Sequence, residues 1–437
     1  MIVYKFGGTS VGKPKRMHAI AQLLQRDNSR KIVVLSALSG TTNTLVAIGE
    51  QLYKNNKDAA VNLIKGLKSH YQEFINELYT SAENKTKATE VIKNFFNEID
   101  ALALIPDFNE GNNKTLLAYG ELMSTNLFTI YLRELGQEVS LLNALDFMAL
   151  NEDGEPDLDT INSRLKPLIK DSKLFITQGF ICRNHKGQTD NLRRGGSDYT
   201  ASLIGAASKA KEVQIWTDID GMHNNDPRIV KNTKPIAHLT FDEAAELAYF
   251  GAKILHPSTI LPAQKEGIPV KLKNTMDPEA EGTTISTAGS AGDIKAIAAK
   301  DGITAIKIKS SRMLLAHGFL RRVFEIFEKH RTSIDMITTS EVAVSVTVDD
   351  DQHLSAIVNE LEQFCTVAID KEQTIVCIVG SMVSEKKGLV KQIFNALSDV
   401  PVRMVSYGGS RNNISILINS NDKEQALVNL NEGLFQV

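Results

Sequence analysis

The 437-residue sequence has few cysteines, no concentration of basic charge and no metal-binding pattern. Its three cysteines, Cys182, Cys365 and Cys377, lack CxxC spacing and lie in apolar stretches, so we predict buried thiols and neither a metal site nor a nucleophile. Nine histidines without HExxH spacing argue against a transition-metal enzyme. A net charge of −3 without a basic block argues against a nucleic-acid or anionic-membrane partner.

Long apolar runs are also missing. No segment approaches the roughly 18 apolar residues that a membrane span needs, and the opening MIVYKFGG is too short and too polar for a signal peptide. The expected location is therefore the cytoplasm. With 42% hydrophobic and 23% charged residues, the composition is that of an ordinary soluble globular protein. The length predicts two to four domains.

The first 290 residues carry the pattern of an α/β domain. Residues 1 to 50 alternate strand, Gly-rich turn, helix and strand, which is typical of a mostly parallel sheet. Residues 51 to 110 place apolar residues at helical spacing and predict a helical excursion. Thr240 and Glu243 have capping-box spacing at the start of a later helix. The segment 277–292, rich in small residues, is interpreted as a domain boundary.

Beyond that boundary the chain contains an internal repeat, in which GFLRRVFEIFEKHRTSIDMIT aligns with GLVKQIFNALSDVPVRMVS. Each copy has the order strand, Gly-containing loop, helix, strand, turn and strand, which is most of a ferredoxin-like unit. Such paired units can bind a small ligand between them or can serve only for dimerisation, and the repeat alone does not decide. The alignment pairs Gly318 with Gly388, Phe324 with Phe394, and Met336 with Met404.

The first loop, GGTSVGKP at residues 7–14, is a candidate phosphate-binding segment. It follows a strand and precedes a helix, so its backbone N–H groups can cradle an anion. It satisfies GxxxxGK, but Pro14 stands where a P-loop needs Ser or Thr for Mg²⁺, so we do not predict a P-loop NTPase. Lys5, a lysine within an otherwise apolar strand, is the candidate cation for the phosphates. The alternative is a structural tight turn.

Two later segments place charged residues beside glycines or strand ends. Arg194 and Asp198 flank Gly-Gly-Ser, where a guanidinium and N–H donors can converge on a carboxylate or phosphate, although Asp198 could merely cap the next helix. Asp218 and Asp220 follow a predicted strand, where open α/β sheets place ligands, and could bind Mg²⁺ or ribose or only cap a turn. Lys253 follows a helix end, where a lysine commonly only compensates exposed carbonyls.

Together these segments resemble the aspartokinases of the amino-acid kinase superfamily, over essentially the whole chain. The resemblance is closest to monofunctional, lysine-inhibited members. It implies an amino-acid kinase fold over residues 1–290, then two ferredoxin-like ACT domains: residues 300–373 with 428–437, and residues 374–427 inserted into the first, so that the last strand returns to it. The motifs that carry the resemblance are KFGGTSVG (5–12), VVLSALSGTTN (33–43), GELMS (120–124), RGGSDYTA (194–201), WTDIDG (216–221), DPR (226–228), AAELAYFGAKILHP (244–257) and ITTSEVAVSVTVD (337–349).

The resemblance also implies which residues serve each ligand, with no metal held by the protein itself. The catalytic residues would be Lys5, Arg194 and Asp198. Aspartate would be bound by Ser36, Thr42, Glu121, Arg194 and Ser197. The nucleotide would be bound by Lys5, Gly7, Gly8, Thr217, Asp218, His223, Arg228, Lys253 and Ile254. An amino-acid effector would be bound by Met313, Phe319, Leu320, Ser333, Ile334, Asp335, Thr339 and Ser340, although these residues could instead only cap and pair strands.

The implied reaction is phosphoryl transfer from MgATP to the side-chain carboxylate of L-aspartate, the first step of lysine, threonine and methionine biosynthesis. L-Lysine is the expected inhibitor, and a homodimer or homotetramer through the ACT domains is the expected assembly. Another amino-acid kinase, such as one acting on glutamate, and a non-catalytic amino-acid sensor are the alternatives. A fused homoserine dehydrogenase is not expected, because no GxGxxG unit follows the repeat.

Four residues near the implied site depart from the family pattern. Cys182 and Arg193 replace glycines, Asn191 replaces threonine, and His223 replaces a common tyrosine. Asn191 and Arg193 bear on substrate contacts, and His223 bears on nucleotide stacking.

Overall fold

The computed structural model describes residues 1–192, 195–251, 255–289, 294–310, 317–381 and 383–435. The chain divides into two compact units, Met1–Met222 with Leu255–Thr287, and His223–Ile254 with Ala288–Val437. The domain boundaries expected from the sequence stay predictions beside this division. No helix in the described ranges combines the length and the apolar character that crossing a bilayer requires.

The elements follow in chain order. The first half of the chain contains β1 (Ile2–Phe6), α1 (Gly8–Val11), α2 (Pro14–Leu24), β2 (Lys31–Leu35), α3 (Thr41–Tyr53), α4 (Lys57–Leu78), α5 (Ala82–Ala103), α6 (Glu110–Glu134), β3 (Ser140–Leu142), α7 (Ala144–Phe147), α8 (Leu158–Leu168), β4 (Leu174–Gln178), β5 (Ile181–Arg183), β6 (Thr189–Asn191), α9 (Gly196–Ser208) and β7 (Glu212–Thr217). The second half contains β8 (His238–Thr240), α10 (Phe241–Tyr249), α11 (Pro257–Lys265), β9 (Val270–Asn274), β10 (Thr283–Ser286), β11 (Ile294–Lys309), α12 (Phe319–Lys329), β12 (Ile337–Thr339), β13 (Ala343–Val348), α13 (Leu354–Leu361), β14 (Thr366–Gly380), α14 (Leu389–Ala396), β15 (Val402–Tyr407), β16 (Asn413–Asn419) and α15 (Lys423–Phe435).

The first unit is built on a mostly parallel sheet with the strand order β3-β4-β2-β1-β7-β9-β10. Neighbouring strands from β3 to β9 are parallel, and only β10 runs antiparallel to β9. The expected α/β class is confirmed. Because β1 lies between β2 and β7, the carboxyl ends of these three strands meet at one edge of the sheet, where ligands bind in open α/β folds.

The predicted helical excursion is confirmed by α4 and α5. Each helix turns one apolar stripe inward, including Tyr71 of α4 and Phe96 of α5, whose rings meet edge to face at 5.8 Å. The stripes pack into the main core with α6. Their polar faces explain the Lys, Glu and Asn of this stretch.

The division between the two units, at Thr287 and Ala288, lies within the segment 277–292 that was interpreted as a boundary, but the segment also contains an unexpected strand, β10 (Thr283–Ser286). Ile285 is fully buried and pairs with Val270, and Thr283 Oγ1 accepts a hydrogen bond of 2.8 Å from the backbone of Met222. Four residues with one large apolar side chain are too few to produce a clear strand pattern.

The second unit contains an antiparallel sheet with the order β12-β13-β11-β14-β16-β15. The predicted repeat is confirmed: Gly318 and Gly388 each precede a helix with positive φ, +87° and +80°. The 16-residue β11 and the 15-residue β14 pair along both copies, with a bulge between Lys300 and Ile303. One half of these strands packs in the core of the first copy, and the other half packs in the core of the second.

The expected return of a last strand to the first repeat is wrong, because Lys423–Phe435 is the helix α15. Its residues Ala426, Leu427 and Leu430 are buried in the core of the second repeat, against Ile393 and Ile416. The spacing of these three apolar residues suits one helix face, which a two-residue strand period would split between two faces.

The prediction of buried thiols is confirmed for Cys182 and Cys377. Burial raises the pKa of Cys182 to about 12, which leaves the thiol protonated and unreactive. Cys365 is only partly buried, so the prediction is wrong there, and its Sγ donates to the carbonyl of Leu361 at 2.8 Å.

Candidate active site

Lys5 is the central cation of the candidate active site in the first unit. It lies next to the last residue of β1, and its Nζ is 2.6 Å from Oδ1 of Asp198, with both side chains more than four-fifths buried. A Cβ on Gly7 would lie 3.2 Å from Nζ, so the glycine keeps the space beside the ammonium open. Burial of Lys5 in an apolar strand, which would be costly for an unpaired ammonium, is therefore offset by a carboxylate partner at the strand end.

The Gly-rich loop forms the one-turn helix α1, and Pro14 then opens α2. Gly7 precedes this turn and Gly8 is its first residue, so both glycines follow the end of β1 directly. Lys13, the lysine of the GxxxxGK pattern, is exposed. The cation beside these glycines is therefore Lys5.

The start of α9 places Ser197 and Asp198 next to β1 and β2. Gly195 precedes the helix with φ +67° and provides no side-chain cap, so Asp198 is not the N-cap residue that the plainer interpretation required. Ser197 Oγ accepts a hydrogen bond of 2.9 Å from Ser36 Oγ, just past the end of β2. The predicted Arg194, and the unusual Arg193, lie outside the described residues.

Gly179, which follows β4, allows α9 to approach the sheet. Its backbone donates to the carbonyl of Leu35 at 2.9 Å, and a Cβ there would overlap the side chain of Ser197 and lie 2.7 Å from its Cα. The next residue, Phe180, adopts φ +67°, and its N–H is held by Thr200 Oγ1 at 2.9 Å. Sequence reasoning missed both residues, although they directly follow the apolar stretch that forms β4.

Glu121 on α6 is a buried carboxyl group with one free oxygen. It is 4% exposed, and its Oε1 accepts the N–H of Ala37 at 3.2 Å. Its Oε2 has no hydrogen-bond partner among the described residues. Burial raises its pKa to about 8, against the opposing effect of the bond from Ala37. A cationic partner would stabilise the charged carboxylate and lower this pKa, so Glu121 would then be ionised.

Thr42, another substrate candidate, lies partly buried at the second position of α3.

The nucleotide candidates are divided between the two units. In the first unit, Thr217 ends β7 and its hydroxyl donates to the exposed Asp218 at 3.2 Å. In the second unit, His223 Nδ1 is 2.9 Å from Thr233 Oγ1. Lys253 and Ile254 lie outside the described residues.

Arg228, the remaining nucleotide candidate, is 85% exposed and holds Asp226. Its Nε and Nη2 donate to Asp226 Oδ1 and Oδ2 at 2.9 and 2.7 Å. These hydrogen bonds keep the pKa of Asp226 below its usual value. The guanidinium retains an outer edge that faces solvent.

The effector candidates lie in the first repeat of the second unit. Phe319 and Leu320 open α12, and the ring of Phe319 meets Phe364 edge to face at 5.9 Å. Ser333, Thr339 and Ser340 are exposed, and Ile334 packs against the repeat core. Met313 lies outside the described residues. Asp335 differs from the others because its carboxylate is fully buried and is already bound by Lys300 at 3.1 Å.

The described residues contain no group of three or more His, Cys, Asp or Glu side chains that could hold a metal ion. Oδ1 of Asp198 is engaged by Lys5. A divalent ion carried by the phosphates of a nucleotide would not require such a group.

Comparison with known proteins agrees with this geometry. A model of the amino acid kinase family matches residues 1–274, and a model of the ACT domain matches residues 306–362 and 376–434. Lysine-sensitive aspartokinase 3 of Escherichia coli is 36% identical over 100% of this chain and 99% of that protein. The crystal structure of E. coli aspartokinase III with aspartate and ADP matches with a TM-score of 0.83 and 35% identity, covering all of both chains. The same enzyme with lysine and aspartate matches with a TM-score of 0.82 and 35% identity, covering 100% and 99%.

The fold and the family match define the class: the chain belongs to the amino acid kinase family, with ACT domains following the kinase part. The full-length likeness is more specific. Within that family, the chain belongs to the aspartokinases.

Proposed function

We propose that this chain transfers the γ-phosphoryl group of ATP to the side-chain carboxylate of L-aspartate, which yields 4-phospho-L-aspartate and ADP. The observation that carries the proposal is the Lys5–Asp198 pair at the carboxyl end of β1, beside Gly7 and Gly8. This reaction is the first step of lysine, threonine and methionine biosynthesis.

The chemistry needs cations and alignment and does not need a base. An aspartate carboxyl with a reference pKa of about 3.9 is already ionised at neutral pH, so no proton has to be removed before attack. Lys5 and the N–H groups of Gly7 and Gly8 would neutralise charge that develops on the γ-phosphoryl, and Asp198 would hold the Lys5 ammonium in place. Mg²⁺ carried by the phosphate oxygens of ATP would supply further neutralisation.

The amino-acid substrate would lie between the end of β2 and the start of α9. Arg194 would bind a substrate carboxylate, and Ser36, Thr42 and Ser197 would supply hydroxyl groups. The free Oε2 of Glu121 would accept the α-ammonium. Thr217, Asp218, His223, Arg228, Lys253 and Ile254 would contact the nucleotide.

A coupled assay of ADP formation tests the proposal directly. We expect turnover with L-aspartate and little or none with L-glutamate at equal concentration. Turnover with L-glutamate alone would identify a different amino-acid kinase. No turnover with either substrate would favour a non-catalytic sensor.

Glu121 makes substrate binding depend on pH. An α-ammonium favours the ionised carboxylate, so below pH 8 each bound aspartate displaces a proton from Glu121. The apparent KM for aspartate should therefore fall by up to about tenfold per pH unit as pH rises from 6.5 to 8. We expect Glu121→Gln to bind aspartate more weakly and to remove this dependence.

The matched control for this measurement is Glu98→Gln, because Glu98 accepts the hydroxyl of Tyr119 in α6 and is not a substrate candidate. The pH dependence should survive that change. If Glu121→Gln kept the wild-type slope, Glu121 would not be the ammonium's partner.

We also propose that L-lysine inhibits the enzyme through the first repeat, and that Thr339 lines its pocket. The related E. coli enzyme is named lysine-sensitive. Thr339→Ile adds bulk to an exposed strand position far along the chain from Lys5, so it should raise the half-inhibitory lysine concentration at least about tenfold without lowering uninhibited activity.

Thr338→Ile is the matched control, because consecutive strand residues point to opposite faces of the sheet. Titration of activity with lysine and with threonine separately tests the effector. Inhibition by threonine with lysine inert would contradict the lysine assignment and leave the kinase proposal standing. A homodimer or homotetramer through the ACT domains, and a cytoplasmic location, belong to the same proposal.

A further inference from the structure

Helix α10 in the second unit is bonded to both repeats from one face. Glu246 and Tyr249 are three residues apart and therefore lie side by side on the helix surface. Oε1 of Glu246 accepts a hydrogen bond of 2.8 Å from Ser410 Oγ, and its Oε2 accepts one from Asn413 Nδ2. Both donors belong to the second repeat, before and at the start of β16.

Tyr249 makes the bond to the first repeat. Its hydroxyl donates to Asp335 Oδ1 at 2.5 Å. The ammonium of Lys300, at the bulge of β11, lies 3.1 Å from the same oxygen, 2.8 Å from Asp349 Oδ2 and 4.4 Å from the centre of the Tyr249 ring. Burial, helped by the bond to Asp335, raises the pKa of Tyr249, so its hydroxyl stays protonated and remains a donor.

The carboxylate of Asp335 has two oxygens in different situations. Its side chain is fully buried, and Oδ1 is held by Tyr249 and Lys300. Oδ2 is buried and has no hydrogen-bond partner among the described residues. A buried carboxylate oxygen without a partner is costly, so a cationic ligand that reached Oδ2 would be stabilised there. Such a ligand would compete with Tyr249 and Lys300 for the negative charge of the same carboxylate.

The end of α10 is also seated on β11. Gly251 has φ +128°, and a Cβ there would overlap the carbonyl oxygen of Ala299. A shift of the helix end would therefore disturb this close contact with β11.

We propose that Tyr249 is a positioning residue that couples a cationic amino-acid effector on Asp335 to the position of α10 on β11, and thereby to the activity of the enzyme. The inference rests on the proposed function and names the route by which that site is regulated. An effector ammonium at Asp335 Oδ2 weakens the hydrogen bond from Tyr249 to Oδ1, and α10 then changes its packing position on β11. Only an effector that binds the two arrangements differently can shift their populations, and a shared carboxylate provides that difference.

The test uses Tyr249→Phe in the full-length enzyme, which removes the hydroxyl and keeps the ring. Activity with aspartate is measured against L-lysine, and L-lysine binding is measured separately by calorimetry. We expect uninhibited activity within about twofold of wild type, lysine binding within about threefold, and a half-inhibitory concentration raised about tenfold or more. Tyr53→Phe, at an exposed tyrosine in α3, is the matched control and should be inhibited like wild type.

A second readout does not require activity. In hydrogen–deuterium exchange, L-lysine should change the protection of residues 241–251 in wild type and should change it much less in Tyr249→Phe. Lys300→Met, which removes the second donor to Asp335, should reduce the same response.

The outcomes of these experiments distinguish failure of the proposed route from failure of the proposed kinase activity. Inhibition of Tyr249→Phe equal to wild type overturns the proposal. Loss of lysine binding together with inhibition also overturns it, because Tyr249 would then belong to the pocket. If wild-type enzyme phosphorylates aspartate but neither binds nor responds to L-lysine, the route proposed here fails while the proposed kinase activity stands. A chain without activity on aspartate that still shows the lysine-dependent exchange in α10 retains the route and loses the kinase proposal.

Discussion

Lys5→Ala is expected to lower kcat by about 10²–10³-fold, the scale for loss of one preorganised electrostatic donor. The ammonium lies at the end of the central strand β1, paired with Asp198 at 2.6 Å, where it would face the transferred phosphoryl group. Its removal takes away charge that is needed most in the transition state, so kcat should fall more than affinity for ATP. Steady-state kinetics with aspartate and ATP, together with circular dichroism, provides the measurement.

Lys13→Ala is the control for this experiment. Lys13 is the lysine of the P-loop-like pattern, but it is exposed and precedes α2. We expect its removal to change kcat by less than about threefold, because surface positions away from a charge partner contribute little. If Lys13→Ala lowered kcat as much as Lys5→Ala, the phosphates would instead be bound by Lys13 in a P-loop geometry. Normal turnover in a folded Lys5→Ala enzyme would remove Lys5 from the reaction.

Gly179→Ala should lower kcat/KM by about 10²-fold, although residue 179 is not proposed to contact either substrate. The added Cβ would lie 2.7 Å from Ser197 Cα and would overlap its side chain, so the first turn of α9 must move away from β4. That turn carries both Ser197, bonded to Ser36, and Asp198, paired with Lys5. Misplacement of about 1 Å can cost this much in rate.

Gly66→Ala is the matched change on an open surface. Gly66 lies in α4, where a Cβ would meet nothing within 4 Å, so alanine should leave activity unchanged and raise helix stability by up to about 1 kcal/mol. Thermal unfolding of both variants separates a local shift from a general loss of folding. A Gly179→Ala enzyme with wild-type kcat/KM would show that α9 can move without consequence.

Much of the fold was accessible from the sequence because its signals are local. The alternation of strand and helix in the first 50 residues, the capping box of Thr240 and Glu243, and the matched glycines 318 and 388 each depend on a few neighbouring residues. The candidate cation Lys5 could also be recognised from the sequence. A charged lysine in an apolar strand is costly to bury unless it has an anionic partner, and this can be seen without knowing the tertiary structure.

Features that depend on distant partners were not visible. The bond between Tyr249 and Asp335 joins residues 86 positions apart, and no local pattern marks either as a partner of the other. The last helix was mistaken for a strand because its place in the second repeat depends on a core assembled from β11, β14 and α14. β10 was hidden in a stretch of small residues, since its pairing with β9 depends on the partner strand and hardly on its own composition.

The long strands β11 and β14 have a consequence for how such a regulatory region can evolve. Each strand gives one half to the first repeat and the other half to the second. Neither repeat therefore contains a complete sheet by itself. Separating the two repeats would leave backbone N–H and C=O groups unpaired in both. Recombination that duplicates, deletes or exchanges one repeat alone would break β11 or β14 in its middle. We therefore expect the two repeats to tolerate exchange only as one piece, even though the sequence shows two copies of a shorter motif.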